Sequence, residues 1–201
     1  MTNDVVTLIG IDFSLTSPAV CIEKDNEHFF YAIQRKENKL VRKLNMLNNV
    51  TIEICPKEGM TDFEYNDKMT DMLMRWINSS IGTNPIFAME DWIYSIRGNS
   101  LIDIVYATSI FRYKLIKKYG EINFYSPTHI KKHATGKGNA KKEDMLFAFN
   151  RIHYKTPFGE WCHKMSKTEK PTEDMLDAYW TLSTLKSEMN WNVQKDLFQE
   201  D

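Results

Sequence analysis

The segment that most constrains the fold is LIGIDFSLTSPAVCI, residues 8–22, in which two apolar runs flank a short polar turn. Apolar and β-branched residues of this kind predict two buried strands. Asp12 then stands at the end of the first strand, where an unpaired carboxylate is costly. Three later acids, Glu90, Asp174 and Asp177, lie at positions from which they could join Asp12 around a metal ion.

The composition limits the kind of protein that could hold such a site. The 201 residues, 42% of them hydrophobic, suffice for one core and are few for two, so we expect a single domain over residues 1–201. The apolar runs are shorter than the roughly 18–20 residues that span a bilayer, and a signal-peptide pattern is missing. We therefore expect a cytoplasmic protein, in a bacterial cell or an infected host cell, without membrane contact. Three cysteines without a CxxC pair favour neither disulfides nor a zinc site.

Positive charge is concentrated in one segment, although the net charge of the chain is only −1. Residues 131–142, KKHATGKGNAKK, are predicted to form a loop and hold five lysines and no acid. A solvated charge run is the ordinary interpretation. Its glycines, however, allow close approach of the backbone to phosphate, and its lysines release counterions from DNA. The predicted contacts to the DNA backbone are Lys131, Lys132, Lys137, Asn139, Lys141 and Lys142.

Hydrophobic periodicity predicts an α/β order of elements. Strands are expected at 5–11, 18–23 and 28–34, which form an antiparallel meander, and later at 86–89 and 121–125, with 51–55 as a further short candidate. Helices are expected at 62–79, 101–118, 141–153 and from 172 onward, the last one with Thr172 as its N-cap. Residues 35–50 have no clear pattern, and residues 155–171 are predicted to form a surface loop.

Four segments of the chain resemble the RuvC family of Holliday junction resolvases. They are GIDFSLTSPAV, the strand-end Glu90, SPTHIKKHATGKGNAKKEDM and DMLDAYWTL, and they span about residues 5–185. The corresponding family patterns are GIDPxxxxxG, a strand-end glutamate, PxxVKKxxTGxGxAxKxxM and DxxDAxAxA. The third segment is the most discriminating because many of its positions match in register: Pro127, Lys131, Lys132, Thr135, Gly136, Gly138, Ala140, Lys142 and Met145.

The resemblance implies a fold, an activity and a site. The fold would be α/β and RNase H-like, with a central mixed five-stranded sheet flanked by helices. The activity would be structure-selective endonuclease cleavage of four-way DNA junctions, with symmetric nicks made by a homodimer. The metal-binding catalytic carboxylates would be Asp12, Glu90, Asp174 and Asp177, holding Mg²⁺ as a pair of ions that Mn²⁺ can replace. The many Lys, Asn and Met residues further suggest an AT-rich genome, such as that of a phage.

The chain departs from the family patterns at several positions that bear on substrate fit. Phe13 replaces a proline, Ala19 replaces a glycine, and Trp180 replaces a small residue. The family resemblance also implies an aromatic residue three positions after the glutamate, where this chain has isoleucine. We therefore expect Trp92 or Tyr94 to stack on an unpaired base at the junction, unless both belong to the core.

Three other functions remain open from the sequence. A broader RNase H-like nuclease would cut flaps or forks instead of four-way junctions. An actin-like ATPase shares the GIDxS opening but needs a second phosphate loop, an adenosine site and a longer chain, so no nucleotide cofactor is expected. A catalytically silent DNA-binding module is the third alternative, and the complete carboxylate set argues against it. Each acid taken alone also has a structural interpretation, such as a turn or a helix start.

Overall fold

A central mixed sheet organises the computed structural model, which describes residues 6–82, 84–91 and 99–197. The strands are β1 Val6–Asp12, β2 Ala19–Lys24, β3 Glu27–Gln34, β4 Val50–Ile54, β5 Asn84–Glu90 and β6 Ile122–Tyr125. Their order across the sheet is β4-β3-β2-β1-β5-β6. The antiparallel meander of β1, β2 and β3 is confirmed, and β5 and β6 extend the sheet in parallel to β1.

The expected five-stranded sheet is corrected to six strands. The additional edge strand is β4, which lies parallel to β3 with Ala32 opposite Ile52. The short candidate at 51–55 therefore belongs to the sheet. Its outer edge is covered in part by Asn45, whose side-chain amide donates to Ile52 O (2.9 Å) and accepts from Ile52 N (2.6 Å). The amide thus satisfies both polar backbone groups that Ile52 would otherwise present to a further strand.

Seven helices flank the sheet within the described ranges. They are α1 Lys39–Leu44, α2 Asp62–Ser80, α3 Asn99–Tyr119, α4 Pro127–Thr135, α5 Lys142–His153, α6 Pro157–His163 and α7 Thr172–Leu197. The predicted helices at 62–79, 101–118 and 141–153 are confirmed within two residues at each end. None of the helices in the described part of the chain is long and apolar enough to cross a membrane.

Two segments that the sequence predicts to be loops are partly helical. Helix α4 occupies the first half of the basic segment, and α6 lies inside the expected loop at 155–171. The predicted N-cap role of Thr172 is also wrong. Thr172 is the first residue of α7, and its buried hydroxyl has no hydrogen-bond partner.

Helices cover both faces of the sheet. Successive side chains of a strand point to opposite faces, and both sets are apolar, so each face needs a covering layer. Along β1, Ile9 and Ile11 face α2 and α3, whereas Leu8 belongs to the core on the side of α7. Helix α2 begins with a complete capping box, in which Thr61 and Glu64 exchange hydrogen bonds. Gly120 follows α3 with φ of 89°, as predicted for a residue that ends a helix.

Gly10 sets the distance between α7 and the centre of the sheet. A Cβ atom at this position would lie 2.2 Å from Ala178 O and 2.5 Å from Leu182 N. Only glycine therefore allows the backbone of α7 to lie directly against β1. This close approach brings the start of α7 to the end of β1 at which Asp12 is located.

Candidate active site

Two of the four predicted carboxylates lie side by side at the carboxyl-terminal ends of two neighbouring central strands. Asp12 is the last residue of β1, and Glu90 is the last residue of β5. These strands are parallel, and Ile11 pairs with Met89. Asp12 and Glu90 are therefore the next neighbours in register, on strands that are about 4.8 Å apart in a regular sheet.

The other two carboxylates come from the first turns of α7. Asp174 and Asp177 are three residues apart, which places them on one face of the helix. The close packing of α7 at Gly10 brings this face to the end of β1. As a result, all four acids line one cavity of about 250 Å³. The same cavity is lined by further charged side chains: Lys131, Lys142, Lys170 and Glu173.

The four carboxylates repel one another in a partly dehydrated setting. Burial raises the pKa of Asp12 well above its ordinary value, and the charges of Asp177, Glu90 and Asp174 raise it further. Burial, followed by the charge of Asp177, raises the pKa of Glu90 to about 7. Burial likewise raises the pKa of Asp174 and of Asp177. A site of this kind favours the entry of positive charge.

Buried oxygen atoms in the cavity are suited to a hard cation. Asp174 is 4% exposed, and its Oδ2 is buried without a hydrogen-bond partner. Asp174 is thus less exposed to solvent than Asp12. The donors are carboxylate oxygens, the ligands that Mg²⁺ prefers. Among the residues that the structure describes, however, no three His, Cys, Asp or Glu side chains are already arranged to hold a metal ion.

Lys142 supplies positive charge to the carboxylates in this structure. Its Nζ contacts Asp177 Oδ2 and lies 3.1 Å from Glu173 Oε1. Burial by itself would lower the pKa of Lys142, but the charges of Asp177 and Glu173 outweigh burial and raise it. The predicted contact of Lys142 with the DNA backbone stays a prediction; in the structure its side chain lines the acidic cavity and is 39% exposed.

Three further residues at the site are not singled out by the sequence patterns. Lys170 Nζ lies 3.3 Å from Asp174 Oδ1, and a hydrogen bond from buried Ser17 lowers the pKa of Asp174 against the effect of burial. The carboxylate of Glu173, which directly precedes Asp174, binds Lys142. The spacing of Lys170 and Asp174, i and i+4, is a usable signal in a helical context. The contacts of Ser17 and Glu173 depend on tertiary packing.

The other residues of the predicted DNA contact lie around this cavity. Lys131 lines the cavity, and Lys132, Lys137, Asn139 and Lys141 lie in the segment beside it. Gly136 is the C-cap of α4, where its own N–H donates to Lys132 O (2.8 Å), and the close approach of this backbone to a phosphate stays a prediction. Gly138 is close to α4, since a Cβ there would lie 2.6 Å from Thr128 Cγ2.

The aromatic residues expected at a junction have different placements. Trp92 and Tyr94 lie outside the described residues. Trp180, which replaces a small family residue, is 2% exposed, and its indole N–H donates to Met145 O (3.3 Å) in the core. Phe13 is partly buried beside Asp12 and stacks on Phe111 with ring centroids 5.1 Å apart.

The mixed sheet, its flanking helices and the acids at the ends of β1 and β5 define an RNase H-like α/β protein. No family model matches the chain. A curated relative, the crossover junction endodeoxyribonuclease RuvC of a Nitratiruptor species, is 24% identical over 131 residues, which cover 65% of this chain and 78% of the relative.

Two solved structures of RuvC share the fold of the chain. Thermus thermophilus RuvC has a TM-score of 0.55 at 12% identity, with 90% of this chain and 96% of that chain covered. T. thermophilus RuvC in complex with Holliday junction substrate has a TM-score of 0.57 at 14% identity, with 90% and 94% covered. The predicted fold class and the predicted resemblance to RuvC are thereby confirmed.

Proposed function

We propose that this protein is a structure-selective DNA endonuclease that resolves four-way junctions by metal-dependent phosphodiester hydrolysis, in DNA recombination and repair. The observation that carries the proposal is the convergence of Asp12, Glu90, Asp174 and Asp177 on one cavity that lysines also line. The similarity to a RuvC solved with a Holliday junction favours this substrate. We further propose that residues 1–201 form one nuclease domain, which acts in the cytoplasm of a bacterial or an infected host cell.

The proposed catalytic residues are the four carboxylates, and they fit a divalent cation. The unpartnered Asp174 Oδ2 and the raised pKa of Asp12 both indicate a need for positive charge. Asp12, Glu90, Asp174 and Asp177 would hold Mg²⁺, in our proposal two ions, with Mn²⁺ as a substitute. When bound, such ions activate a water molecule and stabilise the leaving 3′ oxygen of the cleaved phosphodiester.

Lys142 has a defined part in this proposal. Its Nζ reduces the repulsion between the carboxylates in the absence of DNA, because it lies between Asp177 and Glu173. The ammonium group would be released from Asp177 when a metal ion is bound, since the metal ion and Lys142 would compete for the same carboxylate oxygen atoms. The released side chain, together with Lys131, can then bind the phosphate that enters the cavity. The other lysines of the basic segment would hold the flanking DNA backbone.

A homodimer follows from the near two-fold symmetry of a four-way junction, which must be nicked twice. Helix α3 offers a surface for it, because one face carries exposed large apolar side chains, while Phe111 and Leu115 on the opposite face are fully buried. The exposed set is Ile102 (68%), Tyr106 (48%), Tyr113 (63%) and Ile116 (46%). Apolar side chains that recur on one helix face are typical of helix packing between subunits.

The test of the dimer is the oligomeric state in solution. We expect Tyr113→Glu to yield monomers in sedimentation equilibrium at concentrations at which the unmodified protein is dimeric. Phe147→Glu is the matched control, because Phe147 on α5 is equally exposed (67%) but lies away from α3. A dimer that survives Tyr113→Glu, or a monomeric unmodified protein, would rule out this interface.

The activity test compares a synthetic four-way junction, a Y-shaped fork and a linear duplex, each with Mg²⁺ or EDTA. We expect paired symmetric nicks in the junction that disappear with EDTA and with Asp12→Asn. Glu143→Gln, which removes an exposed acid of α5 outside the cavity, should leave cleavage unchanged. Equal cutting of fork and junction would favour the broader branched-DNA nuclease. Tight binding without cutting would favour a catalytically silent module.

A further inference from the structure

A second cavity lies on the other side of the catalytic carboxylates. It has a volume of about 230 Å³ and shares Asp12 and Glu90 with the acidic cavity. The remaining walls differ, because the acidic cavity is bounded by α4, α5 and α7, whereas this one is bounded by the turn after β1 and by α3. The two cavities therefore lie over opposite faces of the sheet and meet at its edge. We call the second one the lateral cavity.

The lateral cavity contains an aromatic platform. Phe13 lines it directly after Asp12, and its ring stacks on Phe111 with an interplanar angle of 22° and centroids 5.1 Å apart. Phe111 is fully buried, whereas Phe13 is only partly buried. The Phe111 ring is thus fixed in the core and supports the ring of Phe13. Phe13 is also the position at which the chain departs from the proline of the RuvC pattern, so the platform belongs to this chain.

The rest of the lateral cavity is mainly apolar, and its other polar residues include Ser14 and Thr108. Leu15, Met89 and Ile104 line its walls. One end is polar and is formed by Arg112, which is 14% exposed in its side chain and whose guanidinium group lies 3.1 Å from Asp91 Oδ1. The same group is 4.2 Å from the centroid of the Phe124 ring. An apolar pocket with a few fixed polar groups is the usual form of a site for a flat organic ligand.

We propose that the lateral cavity binds the nucleobase next to the cleaved phosphate, with the base stacked on Phe13. This inference rests on the proposed nuclease function and adds a substrate subsite to it. A phosphate between Asp12 and Glu90 brings the adjoining nucleotide to the shared wall of the two cavities. At a branch point a base has already lost part of its stacking, which lowers the free energy needed to move it out of the helix. Stacking on an aromatic ring accepts any base.

The contribution of the platform is measured with substitutions that separate the ring from its bulk. Phe13→Leu keeps an apolar side chain against Phe111 and removes the stacking surface, whereas Phe13→Tyr retains it. We expect Phe13→Leu to lower kcat/KM on the junction by about 5- to 100-fold, and Phe13→Tyr to stay within about 3-fold of the unmodified protein. Melting temperatures identify any variant that loses activity through misfolding.

The second test changes the substrate instead of the protein, by removing the base that is expected to stack on Phe13. A junction with an abasic nucleotide at the position that flanks the cut should be cleaved more slowly by the unmodified protein, and Phe13→Leu should cause no further loss on it. Trp76→Leu is the control, since Trp76 stacks on Tyr31 with similar geometry (4.8 Å, 17°) in a cavity at the opposite end of the sheet. It should cleave both junctions like the unmodified protein.

A binding measurement tests the lateral cavity without cleavage. Junctions that carry 5-iodouracil at single positions around the cut are irradiated with the unmodified protein in EDTA, and the crosslinked peptide is sequenced. We expect a crosslink to Phe13 from one flanking position, and its loss in Phe13→Leu. Cleavage of the junction without this crosslink, together with equal losses of Phe13→Leu on intact and abasic junctions, would overturn the lateral site alone. A crosslink without cleavage by the unmodified protein would uphold the site and refute the nuclease.

Discussion

Asp12 and Glu23 lie at opposite ends of the same pair of antiparallel strands. Asp12 pairs with Ala19 where β1 ends, and Leu8 pairs with Glu23 near the end of β2. Both are acids in a largely buried sheet, yet the pKa of Asp12 is raised by burial and by the other carboxylates, whereas nearby His28 and Lys186 lower the pKa of Glu23 to about 2. The difference lies in the neighbours that the fold supplies.

Glu23 has one hydrogen-bonded cationic partner, whereas its Oε2, like Asp174 Oδ2, is buried without a hydrogen bond. Lys186 Nζ lies 2.6 Å from Glu23 Oε1, and His28 Nε2 lies 3.2 Å from Oε2. At the other end, four acids are placed together with Lys142 and Lys170 as the nearby cations. The Glu23 end of the strand pair therefore adds to the stability of the fold. The Asp12 end lowers the stability and forms a site that attracts cations. This contrast makes four predictions.

The largest effect is expected for Asp12→Asn. Because this change removes an oxygen ligand from the centre of the proposed metal site, we expect single-turnover cleavage of the junction to fall by at least about 10³-fold. The melting temperature in EDTA at pH 8 should rise, since the raised pKa of Asp12 means that its ionised form destabilises the folded state. A variant that loses activity and also melts at a lower temperature would contradict the view that the clustered acids destabilise the fold.

The second prediction concerns Gly10, which lies between the two ends of the strand pair on β1. Gly10→Ala places a methyl group within 2.5 Å of the backbone of α7, so the helix must shift away from the sheet. We expect a loss of about 1–3 kcal/mol in the free energy of unfolding and a weakened Mg²⁺ response, because Asp174 and Asp177 move with the helix. Urea unfolding and Mg²⁺ titration of cleavage measure the two effects. Unchanged values in both would show that α7 does not position the acids.

The third prediction isolates the structural end. Glu23→Gln should lower the free energy of unfolding by about 2 kcal/mol at pH 7 and leave junction cleavage unchanged. The stabilisation by Glu23 is present above its unfolded pKa of about 4.5 and is lost as the pH falls toward 2, so the difference between the two proteins should narrow in acid. Glu121→Gln, at an exposed acid, is the control and should have little effect.

The fourth and smallest effect is a pH dependence of opposite sign at the active-site end. Glu90 has a raised pKa of about 7, so the stability associated with its protonated form is present in acid and is lost as the pH rises through 7. The melting temperature of Glu90→Gln minus that of the unmodified protein, both in EDTA, should therefore increase between pH 5 and pH 8. Groups distant from Glu90 titrate alike in both proteins and cancel, whereas Asp12 and Asp177 interact with Glu90 and change the difference in the same direction. A flat difference would contradict the assigned electrostatics.

Much of the site was predictable because it depends on strand ends and helix spacing. Asp12 and Glu90 follow apolar runs that are typical of strands, and Asp174 and Asp177 have the spacing of one helix face. Parallel pairing of β1 with β5 then brings the first two together. The position of Lys142 could not be predicted, since it depends on how α5 and α7 pack across the cavity. From the sequence, Lys142 is a lysine of the basic run and a matched position of the family pattern, and neither observation places it against Asp177.

The two helices in segments predicted to be loops do begin with a recognisable helix-start signal. Other residues in the same segments favour a loop in the prediction. Both α4 and α6 begin with a hydroxyl N-cap followed by proline, Ser126-Pro127 and Thr156-Pro157, and each cap accepts a hydrogen bond from the backbone three residues on. Proline at this first position is favourable in a helix. Proline and glycine elsewhere in the same segments are typical of loops, and they favour an irregular structure in the prediction. The sixth strand was visible as a candidate, but its pairing with β3 depends on tertiary context.

The side chain of Asn45 has a consequence for how copies of this protein can meet. An unprotected edge strand attracts a strand of another molecule, and repeated pairing of that kind gives open-ended aggregates. Asn45 occupies the middle of the β4 edge with its own amide, which leaves no continuous ladder for an incoming chain. Pairing of two copies through the β4 edge is thereby disfavoured, and contact between helical surfaces, which can close upon itself, is favoured instead.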